Sequence, residues 1–149
     1  MNAQASDTNQ IFVNLPINDL MRTMNFFGKL GFSFDPAFTD ENAACPLTDE
    51  NICAMLLVEK FFREFVPDKE ICDVKSSAKE LIALTVRSRQ EVDEMSGGTI
   101  AVAAGGSEYR KAQDYGWMYS RASQDVDGHI WEIFHTNMDA VPDEIRNNE

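Results

Sequence analysis

The segment Phe12-Val-Asn-Leu-Pro-Ile-Asn-Asp19 returns one fixed offset later as Leu81-Ile-Ala-Leu-Thr-Val-Arg-Ser88, setting Leu15 over Leu84 and Ile17 over Val86. An internal repeat constrains a fold more than any single motif, because each copy must build the same supersecondary unit. In the first copy Ile11 to Ile17 reads as a strand, and Asn18 or Asp19 caps a following helix by accepting from its free amides. Leu20, Met24, Phe27 and Leu30 then recur at helical spacing, and Gly31 stops the helix. In the second copy Leu81 to Val86 is the strand. Ser88 caps, and Glu91 completes a capping box ahead of Val92 and Met95.

Beyond each helix the chain reads as extended. Phe32 to Thr39, Ala43 to Leu47 and Ile52 to Val58 are separated by Asp40-Glu41-Asn42 and Thr48-Asp49-Glu50-Asn51, so three sequential strands are expected as antiparallel neighbours. Lys60 to Phe65 reads as a short helix, and Val66 to Ser77 as a polar connection. In the second copy Gly97-Gly98 interrupts the helix before Thr99 to Ala104, and Gly105-Gly106 ends it. Ser107 to Ala112, Trp117 to Gln124 and His129 to Thr136 supply its strands, the last two joined at Asp125-Val126-Asp127-Gly128, whose Asp and Gly suit a tight hairpin. The expected fold is α+β, with tandem βαβββ repeats forming a curved, partly closed mixed sheet. Residues 1–10 are expected as a flexible tail, 11–137 as a single domain and 138–149 as a C-terminal tail. Within that domain the first unit spans about 11–59, the connection about 60–78 and the second unit about 79–137.

Composition removes several functions. A formal net charge of -12 repels phosphate backbones and anionic lipid, so neither nucleic acid nor a membrane is an expected partner. With a polar start and no apolar run of membrane length, a soluble, cytoplasmic protein is expected. Cys45, Cys53 and Cys72 are odd in number and lack CxxC spacing, so they are expected as reduced packing residues. The glycine pairs lack the strand-Gly-x-Gly context that cradles a phosphate, and two histidines on one strand do not make a nucleophilic triad.

One residue breaks the pattern of the final strand. Ile130, Glu132 and Phe134 share one face, while His129, Trp131, Ile133 and His135 share the other. Carboxylates are seldom buried unless paired, protonated or metal-bound, which makes Glu132 the catalytic candidate. Four readings stay open: an edge glutamate facing water, an acid or base tuned by apolar neighbours, a salt-bridge partner of Arg121, or a hydrogen-bonding group for a ligand. Tyr119, Arg121 and Ser123 share parity on the preceding strand and are expected beside Glu132, where the arginine fork would suit an anion. Trp131, facing away from Glu132, is expected as core under a helix. Phe61, Phe62 and Phe65 form an apolar patch that closes one end of the fold or meets a partner subunit.

The stretches FVNLPINDLMRTMNFFGKLGF, EVDEM with the later AAGG, and YGWMYSRASQDVDGHIWEIF together resemble the vicinal oxygen chelate superfamily, which includes glyoxalase I, bleomycin-resistance proteins and extradiol dioxygenases. The resemblance runs from Ile11 to Thr136 and implies a divalent metal held by side chains from the first and last strands of each unit. Those positions fall on Phe12, Met55, Leu81 and Glu132, and only Glu132 can ligate. Asn14 on Phe12's face offers a carbonyl and Glu59 is a remote candidate, whereas His129 and His135 lie on the wrong face of their strand. The resemblance therefore implies a small-molecule-binding protein, or a metal-independent enzyme, that is glyoxalase- or bleomycin-resistance-like, lacks the usual metal centre and has no predicted cofactor. Its ligand site would comprise Phe12, Asn14, Leu81, Ala83, Thr85, Tyr119, Arg121 and Ser123 around Glu132. A small organic ligand, with an anionic end as one option, and a homodimer are the expected partners. The alternatives are a metal-dependent lyase or dioxygenase with shifted ligands, and a structural dimeric module without a ligand.

Overall fold

The computed structural model describes residues 10–46, 50–78, 80–96 and 100–147. The chain divides into two compact units, Met1–Ile71 and Cys72–Glu149, each with its own mixed sheet. The fold is α+β, as expected.

In the first unit, strand β1 (Ile11–Ile17) leads into helix α1 (Leu20–Lys29). Asp19 is the cap: its side chain accepts from Arg22 N at 3.0 Å. At the other end Phe32 N reaches Phe27 O and Gly31 N reaches Gly28 O, with Gly31 at φ 95°, a paired closure that only a residue tolerating the left-handed region makes cheaply. Thr23, Phe26 and Phe27 of α1 are buried, as are Leu15 and Ile17 of β1. Strand β3 (Ile52–Val58) pairs parallel with β1, and β2 (Ala43–Ala44) pairs antiparallel with β3. The strand expected over Phe32 to Thr39 is reduced to one bridge, Phe34 to Pro46. Asp35 ends it by accepting from Ala37 N at 2.9 Å and starting a 3-10 turn over Pro36–Phe38. Proline cannot donate to a ladder, so the turn wins. Counting that bridge, the first unit keeps the strand order of the second. A short helix α2 (Glu59–Phe65) comes next.

The cysteine expectation fails here. Cys45 and Cys53 are joined in a disulfide, while Cys72 is free and exposed. The β2–β3 pairing brings the two chain segments side by side, which spacing in the sequence does not reveal.

The second unit runs β4 (Ile82–Thr85), α3 (Arg89–Ser96), α4 (Ile100–Ala103), β5 (Ser107–Asp114), β6 (Met118–Gln124) and β7 (Ile130–Thr136), with sheet order β4-β7-β6-β5. Ser88 caps α3 through Glu91 N at 3.1 Å, and the Glu91 carboxylate accepts from Arg87 N at 2.7 Å, one residue earlier than a regular capping box. Gly97-Gly98, the C-terminal part of Ala43 to Leu47, the Thr48-Asp49 turn and the tail before Gln10 lie outside the described residues. The segment after Thr136 forms two helical turns, at Met138–Ala140 and α5 (Asp143–Arg146), and buries Val141. Among the described residues no helix is long and apolar enough to cross a membrane.

Candidate functional site

The register of β6 on β7 decides which side chains meet. Ala122 lies opposite Glu132, Arg121 opposite Ile133, Ser123 opposite Trp131 and Tyr119 opposite His135. Directly paired residues share a face of the sheet, so Glu132 stands with Ser120, Ala122 and Gln124. Tyr119, Arg121 and Ser123 stand on the other face, and the expectation that they flank Glu132 is corrected: an odd register offset sends the whole set across the sheet.

That second face belongs to α3. Asp93 of the helix accepts from Tyr119 Oη at 2.6 Å and from Arg121 Nε at 2.7 Å, and Arg121 also faces Glu108 at 3.8 Å. The hydrogen bond to Tyr119 and the charge of Asp93 hold the Arg121 guanidinium above its ordinary value. Arg121 is thus engaged by acids on its own face, and the pairing with Glu132 does not form. Trp131 and Ile133 are buried on this face, as the alternation required. Ser123 is buried among them.

Glu132 has a different partner. Arg110 Nη2 donates to Glu132 Oε2 at 3.1 Å, with side chains 29% and 16% exposed. Sequence reasoning missed Arg110 because β5 carries a bulge. Glu108 pairs with Ser123 but Arg110 pairs with Ala122, so two residues of equal parity fall on opposite faces. An extra residue in one strand re-aims the next side chain. The run Ser107–Asp114 is polar without alternation, so no signal in it marks the bulge. Arg110 Nη1 is buried and has no hydrogen-bond partner among the described residues. A buried guanidinium nitrogen left unpaired is costly, and an oxygen of a bound molecule would relieve it.

The remaining expected residues divide by strand. Ala83 pairs with Glu132 and Thr85 with Phe134, so both stand on the Glu132 face and both are exposed. Leu81, just before β4, is 55% exposed. In the first unit Phe12 and Asn14 share a face of β1, with Phe12 in edge contact with Phe38 at 5.5 Å. Asn14 pairs with Met55 as Ala83 pairs with Glu132, so Met55 holds in its sheet the place Glu132 holds in the other. Glu59 is exposed at the start of α2, and His135 Nδ1 bonds Val86 O at 3.0 Å on the face away from Glu132.

These donors do not fit a catalytic divalent metal. Such a site needs about three oxygen or nitrogen ligands. Phe12 and Leu81 offer none, Met55 offers a thioether, and the one carboxylate is held by an arginine. Among the described residues no group of three His, Cys, Asp or Glu side chains comes together.

The β6–β7 turn fixes this register. Asp125 Oδ1 accepts from Asp127 N, Gly128 N and His129 N at 2.9 to 3.0 Å, and Oδ2 accepts from Trp131 Nε1 at 3.0 Å. Burial pushes the Asp125 carboxyl above its usual range despite these donors. Gly128, at φ 99°, leaves no room for a Cβ beside Lys75 and Val74 without adjustment.

No protein-family model and no curated relative matches the chain. Solved structures do. A glyoxalase-related enzyme from Fulvimarina pelagi is 25% identical with a TM-score of 0.71, covering 85% of this chain and 88% of its own. A glyoxalase/bleomycin resistance protein/dioxygenase family enzyme from Burkholderia phytofirmans PsJN is 16% identical with a TM-score of 0.69, covering 85% and 97%. A bleomycin resistance determinant encoded on the transposon Tn5 is 17% identical with a TM-score of 0.59, covering 88% and 100%.

Proposed function

From a chain with the fold of the glyoxalase/bleomycin-resistance/dioxygenase proteins, that of the vicinal oxygen chelate superfamily, we propose a small-molecule-binding protein that works without the superfamily's metal. The ligand binds on the β4–β7–β6–β5 face that carries Glu132, Arg110, Ala83 and Thr85. The observation that supports this reading is the Arg110–Glu132 contact together with the unpartnered Arg110 Nη1. A guanidinium already neutralised by one carboxylate keeps donor capacity for a carbonyl, carboxylate or phenolate oxygen. Glu132 has one oxygen engaged by Arg110, and its other accepts from a ligand hydroxyl or amine. Phe134 and Ile130, on the same face, give the ligand's apolar body a surface.

Two measurements test the proposal. Elemental analysis of protein purified without affinity tag or chelator is expected to find no stoichiometric metal. A thermal-shift screen of small organic compounds, carboxylates and phenols included, is expected to yield ligands that stabilise the native chain and fail to stabilise Arg110→Met. One equivalent of zinc, manganese, iron or nickel, lost in Glu132→Ala, would overturn it in favour of a metal-dependent lyase or dioxygenase with shifted ligands. The homodimer implied by the resemblance is expected in light scattering of the purified protein.

A further inference from the structure

The opposite face of the same sheet carries a cleft. It opens beside the start of α3, has a volume of about 380 Å³, and is lined by Arg87, Arg89, Trp117, Tyr119, His135 and neighbours. Tyr119 and His135 pair across β6 and β7 on the face away from Glu132, so this cleft is separate from the site proposed above.

Its walls are fixed by contacts already made. Arg89 Nη1 donates to Asp114 Oδ2 at 2.8 Å, Nη2 donates to Oδ1 as well, and the guanidinium lies 4.8 Å over the Tyr119 ring. Gly116 N donates to the same Asp114 carboxylate at 2.9 Å. The Arg89 charge is thus matched, and its role is that of a wall. Three groups are left to act on a guest. Arg87 is exposed, and among the described residues its guanidinium has no acidic partner. His135 Nδ1 meets the Val86 carbonyl at 3.0 Å; a carbonyl only accepts, so Nδ1 carries the hydrogen, and in the neutral ring Nε2 is an acceptor. Trp117 is half-buried and brings a flat apolar surface.

We infer that this cleft binds a small planar carboxylate bearing a hydroxyl group. The carboxylate meets Arg87, the ring lies against Trp117, and the hydroxyl donates to His135 Nε2. A cavity of this size lies within the range that holds an aromatic acid.

The test is a titration of the full chain with 4-hydroxybenzoate, monitored through amide and indole resonances. Saturable shifts at Gln90, Gly116 and the Trp117 indole are expected. Affinity should fall about tenfold in Arg87→Gln, the value of one charge-assisted contact. It should fall similarly for the uncharged 4-hydroxybenzamide, which needs no folded variant. Absence of saturable shifts up to about 10 mM, the range of a contact too weak to count as a site, would overturn the inference. So would shifts confined to Ala83 and Thr85, which would assign the compound to the Glu132 face, or equal binding of acid and amide.

Discussion

The contact between Arg110 and Glu132 sets up a double-mutant cycle with a calculable outcome. Replacing Arg110 by Met keeps most of the side-chain volume and leaves Glu132, with only 16% of its side chain exposed, without its cation. Replacing Glu132 by Gln keeps the shape and removes the charge. Exposed ion pairs are worth about 0.2–1 kcal/mol, whereas breaking a fully buried one costs about 3–5 kcal/mol. At 3.1 Å, with exposures of 29% and 16%, this pair lies between those limits. Each single variant is therefore expected to lose about 1–3 kcal/mol, and the coupling energy is expected near 1–2 kcal/mol. The double variant Arg110→Met with Glu132→Gln should recover part of the loss, because neither orphaned charge remains. Urea unfolding monitored by circular dichroism reads this out. The midpoint should shift by about 0.5–1 M in each single variant with the slope m unchanged. Strict additivity, with coupling below about 0.3 kcal/mol, would refute the reasoning. It would mean that the β5 bulge does not bring Arg110 onto Glu132, and the proposed ligand site would lose its centre.

Asp125→Ala removes the acceptor of three backbone amides and the Trp131 indole, so it is expected to cost about 3 kcal/mol or more in the same assay; a loss under about 1 kcal/mol would show that the turn does not depend on it. The pH dependence of Asp125 has a definite sign. Its folded value is raised above the ordinary 3.8, so the native chain holds this proton more tightly, and the contribution favours folding at low pH and declines as pH rises through that window. Asp114 has the opposite sign: its hydrogen bond to Arg89 lowers it, so the stability it contributes is present above the ordinary value and lost as pH falls. Asp114→Asn should therefore flatten the acid limb of a midpoint-against-pH plot, and an unchanged limb would count against the Arg89 contact. Ser88→Ala, which removes the cap of α3, is expected to cost about 1 kcal/mol by urea unfolding, with a neutral result refuting the capping role.

The local rules that need only near neighbours are legible from the chain. Asp19 and Gly31 bound α1, Ile52–Val58 is a strand to the residue, and the alternation in Ile130–Thr136 separates Glu132 from Trp131. Capping, left-handed closure and period-two alternation are set within a few residues, so the sequence carries them. The repeat of Phe12–Asp19 in Leu81–Ser88 extends that logic to the strand order of both units. The strand expected over Phe32 to Thr39 fails at a breaker that is itself local, Asp35-Pro36, where turn chemistry outweighs extended composition.

The tertiary structure alone decided which side chains meet. Whether Arg121 or Arg110 faces Glu132 depends on pairing register, a relation between strands that no single strand encodes. One bulge in β5 moved Arg110 to the Glu132 face, and one residue of offset between β6 and β7 sent Tyr119, Arg121 and Ser123 under α3. The Cys45–Cys53 disulfide has the same origin, since the β2–β3 pairing created the neighbourhood. The sequence by itself determined the fold and set Glu132 apart as a carboxylate between apolar neighbours on one face, because alternation is a property of one strand. Which cation meets Glu132 was decided only when the strands were laid side by side, because register and a bulge are relations between strands.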